Sequence, residues 1–361
     1  MLTRDFDYDL PEALIAQEAA PRGTSRLLVL DAPAGSAERH RRVSDLPEIL
    51  RPGDLLVVND TRVIPARIFG RRLLEDGSEG ARVELLLIER AGPEGSTEWE
   101  ALVRPGRKAR PGTVLLFSDA PAPGAGRPLR AEVTAKLDDG RHRARFSEPV
   151  EPHLERLGHV PLPPYIKRPD RSDDRDRYQT VFARRPGAIA APTAGLHFTP
   201  ELLDRLRAHG IDRATVTLHV GIGTFKPVTA DLVHEHRMDA ERYEIPDDAA
   251  DAIHRTRGRG GRIVAVGTTV VRALESAAAE DGTVRPGTGR TELFIYPGYR
   301  FRAVDALLTN FHLPRSTLLM LVCAFAGKDR VLAAYREAVE EGYRFYSYGD
   351  AMLAERARAG G

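Results

Sequence analysis

The sequence is poor in cysteine, tryptophan and methionine, which number one, one and four in a chain of 361 residues. A single cysteine excludes a disulfide framework within the chain and a metal site built from cysteines. Cys323 lies inside the apolar run from Leu318 to Ala326, so we expect it in the hydrophobic core.

Long hydrophobic runs are also missing. The apolar run around Cys323 is much shorter than the roughly 20 residues that a membrane-spanning helix needs. The N-terminal segment MLTRDFDYDLPEAL is acidic and lacks the apolar core of a signal peptide. We therefore expect a cytoplasmic protein without a membrane partner.

Neither sign of charge is in clear excess, because 53 basic residues face 52 acidic ones and the net charge is +1. This balance argues against a protein that coats nucleic acid with its whole surface, but it leaves room for a local basic face. The chain is 42% hydrophobic and long enough to bury a substantial core in two domains.

Common cofactor motifs are absent or incomplete. The sequence contains no Walker-type phosphate loop, and Lys226 follows Gly221-Ile222-Gly223 where a dinucleotide-binding fingerprint has its third glycine. His234 and His236 are followed by two acidic residues, a spacing that could hold a metal ion. A pair of this kind in a polar segment more often makes hydrogen bonds, so a metal site is not our leading prediction.

The stretch from Ala190 to Phe225 carries a dense set of candidate functional groups. His197 precedes a helix that we predict to begin with Thr199 as N-cap and Pro200 at the first helical position. The apolar period then changes to two, which predicts a strand that ends at His219, before a glycine turn. Imidazoles, hydroxyls and backbone N–H groups therefore gather at element ends, where α/β proteins build their sites.

Polar residues also follow three other predicted strands. Asn59 to Arg62 follow the apolar run Leu55 to Val58, and Asn310 to His312 close a late strand. Gly267-Thr268-Thr269 connects a buried strand directly to a helix, so free N–H groups and the positive end of the helix dipole point outward.

The C-terminal third contains one further predicted strand and several predicted helices. We expect a strand over Thr291–Tyr296 and an ion pair between Arg272 and Glu275 on a helix surface, because they are three positions apart. The last predicted helices are Ser316–Ala326, Val331–Glu341 and Asp350–Arg358.

The pattern of the sequence changes after Pro65 and changes back near Pro152. Between these points, six short alternating runs are separated by loops that contain glycine or proline. These runs are Ala66–Arg72, Arg82–Glu89, Trp99–Val103, Thr113–Phe117, Ala131–Leu137 and His142–Phe146. We predict a fold of class α/β (α+β): a large domain with a mixed sheet, residues 1–64 and 150–361, interrupted by a small antiparallel β-barrel domain, residues 65–149.

Eight sequence blocks carry a resemblance to a known family. They are Pro21–Leu28, Asn59–Arg67, Gly158–Ile166, Ala191–Phe198, His219–Phe225, Val266–Thr269, Thr309–Thr317 and Tyr346–Met352. With these blocks in this order, the chain closely resembles the S-adenosylmethionine:tRNA ribosyltransferase-isomerases of queuosine synthesis over nearly its whole length. It departs from many relatives at Asp239, where they have histidine, and this argues against an essential proton transfer at that position.

The resemblance implies an unusual transfer reaction. In the family, S-adenosylmethionine gives up its ribosyl portion to the aminomethyl group of a 7-deazaguanine base at the tRNA wobble position. The products are epoxyqueuosine in tRNA, adenine and methionine. The resemblance implies no metal or redox cofactor, S-adenosylmethionine as co-substrate, tRNA as macromolecular partner and no obligatory protein partner.

The resemblance also directs attention to particular side chains. The reaction needs a base that is largely unprotonated near pH 7, for which we consider His197 and His219 first and His312 third, with Glu241 as a further catalytic candidate. The sulfonium favours a carboxylate or aromatic rings nearby, for which Glu241, Phe198 and Phe225 are available. The methionine carboxylate favours a helix N-terminus. The expected S-adenosylmethionine-binding residues are Thr193, Phe198, Gly221, Gly223, Thr224, Phe225, Gly267, Thr268, Thr269, Arg272 and Asn310.

A basic turn within the predicted barrel is our candidate for contact with tRNA phosphates. Arg104, Arg107, Lys108 and Arg110 place four positive charges within seven residues. The strand residues Arg141, Arg143 and Arg145, and the block residues Arg62 and Arg67, extend the candidate tRNA-binding set.

Two other functions stay open on the sequence alone. One is a non-catalytic tRNA-binding protein in which the histidines are structural. The other is a metal-dependent hydrolase that uses His197, His219, His234, His236 and His312.

Overall fold

The computed structural model describes residues 1–33, 36, 38–118, 128–221, 223 and 228–357. The chain forms two compact units. The large unit comprises Met1–Arg62, Pro163–Arg168 and Arg177–Gly361, and the small unit comprises Val63–Leu162 and Pro169–Asp176.

The regular elements of the described residues are numbered in chain order. The strands are β1 (Arg26–Val29), β2 (His40–Arg42), β3 (Leu55–Asn59), β4 (Thr61–Val63), β5 (Arg67–Leu73), β6 (Glu79–Arg90), β7 (Glu98–Arg104), β8 (Val114–Phe117), β9 (Leu129–Lys136), β10 (His142–Phe146), β11 (Gly158–His159), β12 (Arg185–Ala188), β13 (Asp212–Leu218), β14 (Glu241–Ile245), β15 (Ile263–Val266), β16 (Gly287–Thr291), β17 (Ala306–Asn310) and β18 (Ala351–Glu355). The α-helices are α1 (Leu46–Ile49), α2 (Glu151–Leu157), α3 (Asp174–Arg177), α4 (Pro200–Ala208), α5 (Asp247–Gly258), α6 (Thr268–Ala277), α7 (Thr317–Ala326) and α8 (Lys328–Glu340). Short 3-10 helices cover Thr3–Phe6, Glu12–Leu14, Val43–Asp45, Gly106–Lys108, Thr193–His197 and Val233–Glu235.

The large unit is built on a mixed sheet, whose described strands have the order β16-β14-β13-β3-β15-β17-β18-β1-β2. The four central strands β13, β3, β15 and β17 run parallel to one another. Three of them, β3, β15 and β17, are largely apolar because both faces of the sheet are buried there, whereas β13 alternates polar and apolar residues. Successive residues alternate between two hydrophobic clusters: Val57 and Ala265 pack into one, and Val58 and Val266 into the other.

The small unit contains a closed antiparallel barrel. Among the described strands its order is β5-β6-β7-β10-β9-β8, and pairing of β5 with β8 closes it, while β11 adds to β5. Alternate residues such as Leu85 and Leu87 are fully buried. All six strands predicted from alternation are present, and the predicted fold class, a mixed-sheet domain with a small β-barrel, is confirmed.

Two predicted elements of the C-terminal third are wrong. Within the segment predicted as a helix over Asp350–Arg358, Ala351–Glu355 instead forms β18, inserted between β17 and β1, and Arg358 lies outside the described residues. The expected strand over Thr291–Tyr296 is also displaced, because the strand that pairs with β14 is β16, which ends at Thr291. Both differences reflect long-range pairing, which local propensity does not encode.

Several helix boundaries follow the predicted signals. Thr199 caps α4 by accepting a hydrogen bond from the Leu202 N–H group at 3.1 Å, and Ser316 caps α7 in the same way through the Leu319 N–H group at 3.2 Å. No helix in the described part of the chain is both long and apolar enough to cross a membrane.

Candidate active site

A cleft of about 520 Å³ lies in the large unit, at the carboxyl ends of the central strands. Parallel strands bring the residues that follow them to one edge of the sheet, the usual place for a site in this architecture. Six predicted site residues line the cleft: Thr193, Gly267, Thr268, Thr269, Asn310 and His312.

Asn59 connects the strand ends below the cleft. Its side-chain Oδ1 accepts the Leu218 N–H group at 3.0 Å and its Nδ2 donates to the Leu218 carbonyl at 2.9 Å, so β3 and β13 are joined where they end. The same Nδ2 group lies 3.2 Å from Thr269 Oγ1 in the first turn of α6. These buried hydrogen bonds fix the position of the first turn of α6 relative to the ends of β3 and β13.

The N-terminus of α6 opens at the cleft. Gly267 precedes the helix with φ of +90°, a conformation that favours glycine, and no side chain in the described part of the chain caps the helix. Thr268 and Thr269 follow in the cleft lining. The first N–H groups and the helix dipole together make this end suited to an anion such as a carboxylate.

The Asn310 amide fixes the tautomer of His197. Asn310 Nδ2 donates to the Tyr346 carbonyl oxygen at 3.1 Å and to His197 Nε2 at 3.2 Å, and its Oδ1 accepts from Thr193 Oγ1 at 3.0 Å. His197 Nδ1 therefore carries the hydrogen and donates to Ser25 Oγ at 3.0 Å. Burial lowers the pKa of His197 to about 4, so the ring is neutral at pH 7 with both nitrogens engaged.

His312 has one ring nitrogen available. Its Nε2 atom lies 2.9 Å from Thr309 Oγ1, and no described residue forms a hydrogen bond with Nδ1. The backbone is fixed because Tyr8 Oη donates to the His312 carbonyl at 2.5 Å and the His312 N–H group donates to Tyr335 Oη at 3.1 Å. Burial lowers the pKa of His312 to about 3, so this ring is also neutral at pH 7.

His219 follows β13 beside the cleft. Its Nδ1 atom lies 2.8 Å from Thr61 Oγ1. Burial and then the positive charge of Arg242 lower the His219 pKa, and the nearby Asp60 carboxylate opposes the shift. Among the described residues, the neighbouring Val220 lines the cleft and His219 does not.

Glu241 and Arg272 form a buried ion pair next to the glycine turn. Arg272 Nη1 lies 2.5 Å from Glu241 Oε2, and the two residues are 2% and 6% exposed. Glu241 Oε1 accepts the Gly221 N–H group at 2.9 Å. The contact between the two charges is poorly aligned as a hydrogen bond, and Arg272 Nε and Nη2 have no hydrogen-bond partner among the described residues.

The predicted surface ion pair between Arg272 and Glu275 is wrong, since both side chains are buried. Glu275 instead accepts backbone N–H groups of Ala303 at 2.9 Å and Val304 at 3.2 Å. The carboxylate therefore holds the loop that precedes β17, and Arg272 is left to pair with Glu241.

The aromatic and glycine residues expected around the ligand lie in different environments. The ring of Phe198 is fully buried in the core, with its centroid 6.2 Å from that of Phe182, and is not among the described residues that line the cleft. A Cβ atom at Gly223 would come within 2.9 Å of Asp239 Oδ2, so a larger residue here would displace the Asp239 carboxylate. Thr224 and Phe225 lie outside the described residues.

Two tyrosines of the cleft were missed in the sequence. Tyr165 and Tyr346 line it, and their ring centroids are 4.1 Å apart. Both lie in the sequence blocks that carry the family resemblance, but neither has a local pattern that marks it as a site residue. Tyr346 has φ of +72°, an unusual conformation for a bulky residue, and this is visible only in the structure.

The candidate tRNA-binding residues are mostly exposed. Arg62 is exposed in the large unit, and in the small unit Arg104, Arg107 and Arg110 are exposed and form no ion pair with any described residue. The side chain of Lys108 is outside the described part of the structure.

Other candidate arginines of the small unit are already neutralised. Arg67 lies 3.3 Å from Glu84. On β10, Arg141 lies 2.7 Å from Glu100 and Arg145 lies 2.8 Å from Glu98. These carboxylates leave the basic turn, rather than the β10 strand, as the stronger candidate for phosphate contact.

The histidines considered for a metal site do not gather. Within the described ranges, no three His, Cys, Asp or Glu side chains are grouped to hold a metal ion. His234 is exposed, whereas the ring of His236 packs edge-on against Phe294 at 5.2 Å.

Comparison with known proteins gives a consistent result. The profile of a family described as Queuosine biosynthesis protein matches residues 3–354. The S-adenosylmethionine:tRNA ribosyltransferase-isomerase of Gloeobacter violaceus is 56% identical to this chain, over 98% of this chain and 95% of that protein. The protein of the same name from Thermus thermophilus is 55% identical, over 96% of this chain and 98% of that protein. The crystal structure of S-adenosylmethionine tRNA ribosyltransferase from Thermotoga maritima is 40% identical, with a TM-score of 0.51 and coverage of 97% of this chain and 99% of that one. The chain therefore belongs to the queuosine biosynthesis protein family.

Proposed function

We propose that this chain transfers and isomerises the ribosyl moiety of S-adenosylmethionine onto a 7-aminomethyl-7-deazaguanine base at the tRNA wobble position. The products are epoxyqueuosine in tRNA, adenine and methionine. The observation that carries the proposal is the cleft at the strand ends, in a chain similar over nearly its whole length to relatives with this name. The enzyme works in the cytoplasm with S-adenosylmethionine as co-substrate and without another cofactor.

The N-terminus of α6 binds the methionine carboxylate in this proposal. Gly267, Thr268 and Thr269 line the cleft, and none of the described side chains caps the helix. An anion at this place accepts hydrogen bonds from the first N–H groups and is stabilised by the helix dipole. Thr193 and Asn310 line the same cleft and offer further polar contacts.

We assign the proton-accepting role to His312. The base must remove a proton from the carbon beside the sulfonium, so it needs a free ring nitrogen in the cleft. His312 meets both conditions. His219 is the second candidate, whereas both nitrogens of His197 are used to position Asn310 and Ser25.

Three glutamine variants test this assignment through adenine release from S-adenosylmethionine with tRNA that carries the aminomethyl base. His312→Gln should lower turnover about 100-fold or more while S-adenosylmethionine binding stays nearly intact. His219→Gln should have a smaller effect. If His219→Gln loses turnover while His312→Gln keeps turnover within a few-fold of the parent, the base is His219. If all three variants, including His197→Gln, keep turnover, a histidine base is wrong.

The basic turn of the small unit binds tRNA phosphates in this proposal. Arg104, Arg107 and Arg110 are exposed without ion-pair partners among the described residues, so their charges are available to a polyanion. Arg62 adds an exposed charge at the end of the first segment of the large unit.

A further inference from the structure

The described lining of the cleft offers no carboxylate to a positively charged ligand. Its described lining contains no aspartate or glutamate, and Arg315, its one charged side chain among those residues, lies 3.5 Å from Asp7. Glu241, the carboxylate that the sequence offers to a sulfonium, is instead engaged by Arg272 and by the Gly221 N–H group. A cation bound in the cleft must therefore be stabilised by other groups.

Tyr165 and Tyr346 line the cleft as a packed aromatic pair. Their ring centroids lie 4.1 Å apart with planes tilted by 38°. Tyr165 Oη forms a hydrogen bond with Ser347 Oγ, which ties the pair to the chain that follows Tyr346. The negative face of an aromatic ring attracts a cation, and this attraction strengthens where water is excluded.

The backbone around Tyr346 is held in an unusual conformation. Its φ of +72° is rare for a bulky residue, and it persists where surrounding contacts enforce it. The Tyr346 N–H group donates to the Phe311 carbonyl at 3.1 Å, and the Tyr346 carbonyl accepts from Asn310 Nδ2 at 3.1 Å and from the Gly349 N–H group at 2.9 Å. Outliers of this kind cluster at ligand-binding sites.

The Tyr346 hydroxyl does not hold the ring in place. It is buried and has no hydrogen-bond partner among the described residues. The position of the ring follows from the backbone hydrogen bonds and from packing against Tyr165, so a phenylalanine can occupy the same place.

We infer that Tyr165 and Tyr346 form the wall that recognises the sulfonium of S-adenosylmethionine and distinguishes it from neutral thioethers of the same nucleoside. The inference rests on the proposed function, because that function supplies the sulfonium. Both tyrosines act through their ring faces, so the aromatic character of the side chains matters and the hydroxyl of Tyr346 does not.

Calorimetric titration with S-adenosylmethionine and with S-adenosylhomocysteine, its neutral thioether counterpart, tests the inference. Titrations are run with and without tRNA that carries an unmodified wobble guanine, so that no turnover occurs. Tyr346→Leu should weaken S-adenosylmethionine binding about 30-fold, the size of a desolvated cation–π contact, and S-adenosylhomocysteine binding less than about 2-fold. Tyr165→Leu should act in the same direction, and Tyr346→Phe should keep the parent selectivity.

Tyr299→Leu is the matched control, since Tyr299 is a half-buried tyrosine of the large unit that does not line the cleft. Its selectivity should equal that of the parent, and circular dichroism checks that every variant folds. Equal weakening of both ligands in both leucine variants, or loss of selectivity in Tyr346→Phe, would overturn the inference and leave the proposed function standing. If the parent binds S-adenosylmethionine neither with nor without tRNA, both the inference and the proposed function would be overturned.

Discussion

Removal of one partner from the buried pair Glu241–Arg272 should destabilise the large unit strongly. Arg272→Met keeps the length of the apolar stem but leaves the Glu241 carboxylate 6% exposed without a counter-charge. Glu241→Gln keeps an oxygen that can accept the Gly221 N–H group but leaves the guanidinium unpaired. Breaking a buried ion pair on one side typically costs about 3–5 kcal/mol, so each single variant should lose stability of that order.

The double variant should recover most of this loss. With both charges gone, neither side leaves an uncompensated ion in the core, and replacement of a whole buried pair is often neutral or stabilising. Arg272 strengthens this expectation, because Nε and Nη2 already lack hydrogen-bond partners among the described residues and its contact with Oε2 is poorly aligned. The coupling energy between the two substitutions should therefore be about 2 kcal/mol or more.

Urea unfolding followed by circular dichroism measures the four free energies of unfolding in this cycle. Additive effects, or single variants that each cost less than about 1 kcal/mol, would refute the reasoning. Adenine release by the double variant separates stability from function: a stable but inactive double variant would support a direct role of this pair in the reaction.

Three other predictions concern the histidines, the basic turn and the inserted unit. Burial lowers the His197 pKa from 6.5 to about 4, so the unfolded state binds more protons between these pH values, and the free energy of unfolding should fall by about 3 kcal/mol from pH 6.5 to pH 4. In a pH series of urea titrations, His197→Gln should reduce this dependence of the free energy of unfolding on pH. An unchanged dependence would contradict the assignment. Replacing Arg107, Lys108 and Arg110 by alanine should weaken tRNA binding and lower its salt slope by about 0.7 to 0.9 per lost contact, whereas Arg141→Ala, whose side chain is already paired with Glu100, should change neither. Limited proteolysis should cut near Pro65, near Pro149 or within Arg168–Arg177 before it cuts the fully buried segment Val264–Leu274. Early cleavage within Val264–Leu274 would count against the predicted domain limits.

The sequence predicted the architecture well where local pattern and tertiary environment agree. The barrel strands alternate because one face packs inward, and the central strands β3 and β15 are almost entirely apolar because both faces are covered. It also placed Asn310 and His312 correctly at a strand end that opens into the cleft. By contrast, Ala351–Glu355 has the composition of a helix and forms a strand only because β17 and β1 offer hydrogen-bonding edges on both sides.

The parts of the site that escaped prediction depend on contacts between distant positions. Arg272 pairs with Glu241, and not with its helix neighbour Glu275, because the fold brings β14 beside α6. The pairing of Tyr165 with Tyr346 has no local signature at all. For His197, position before a helix suggested a free base, but Asn310 and Ser25 occupy both ring nitrogens.

The most direct test of the proposed reaction uses S-adenosylmethionine that carries carbon-14 in the ribosyl group and tritium in the methyl group. The chain is incubated with this donor and with tRNA that carries the 7-aminomethyl-7-deazaguanine base. We predict that carbon-14 enters the tRNA, that tritium stays with released methionine and that adenine appears in equal amount. Tritium in the tRNA, or carbon-14 in the tRNA without adenine release, would contradict the account, as would the absence of any transfer.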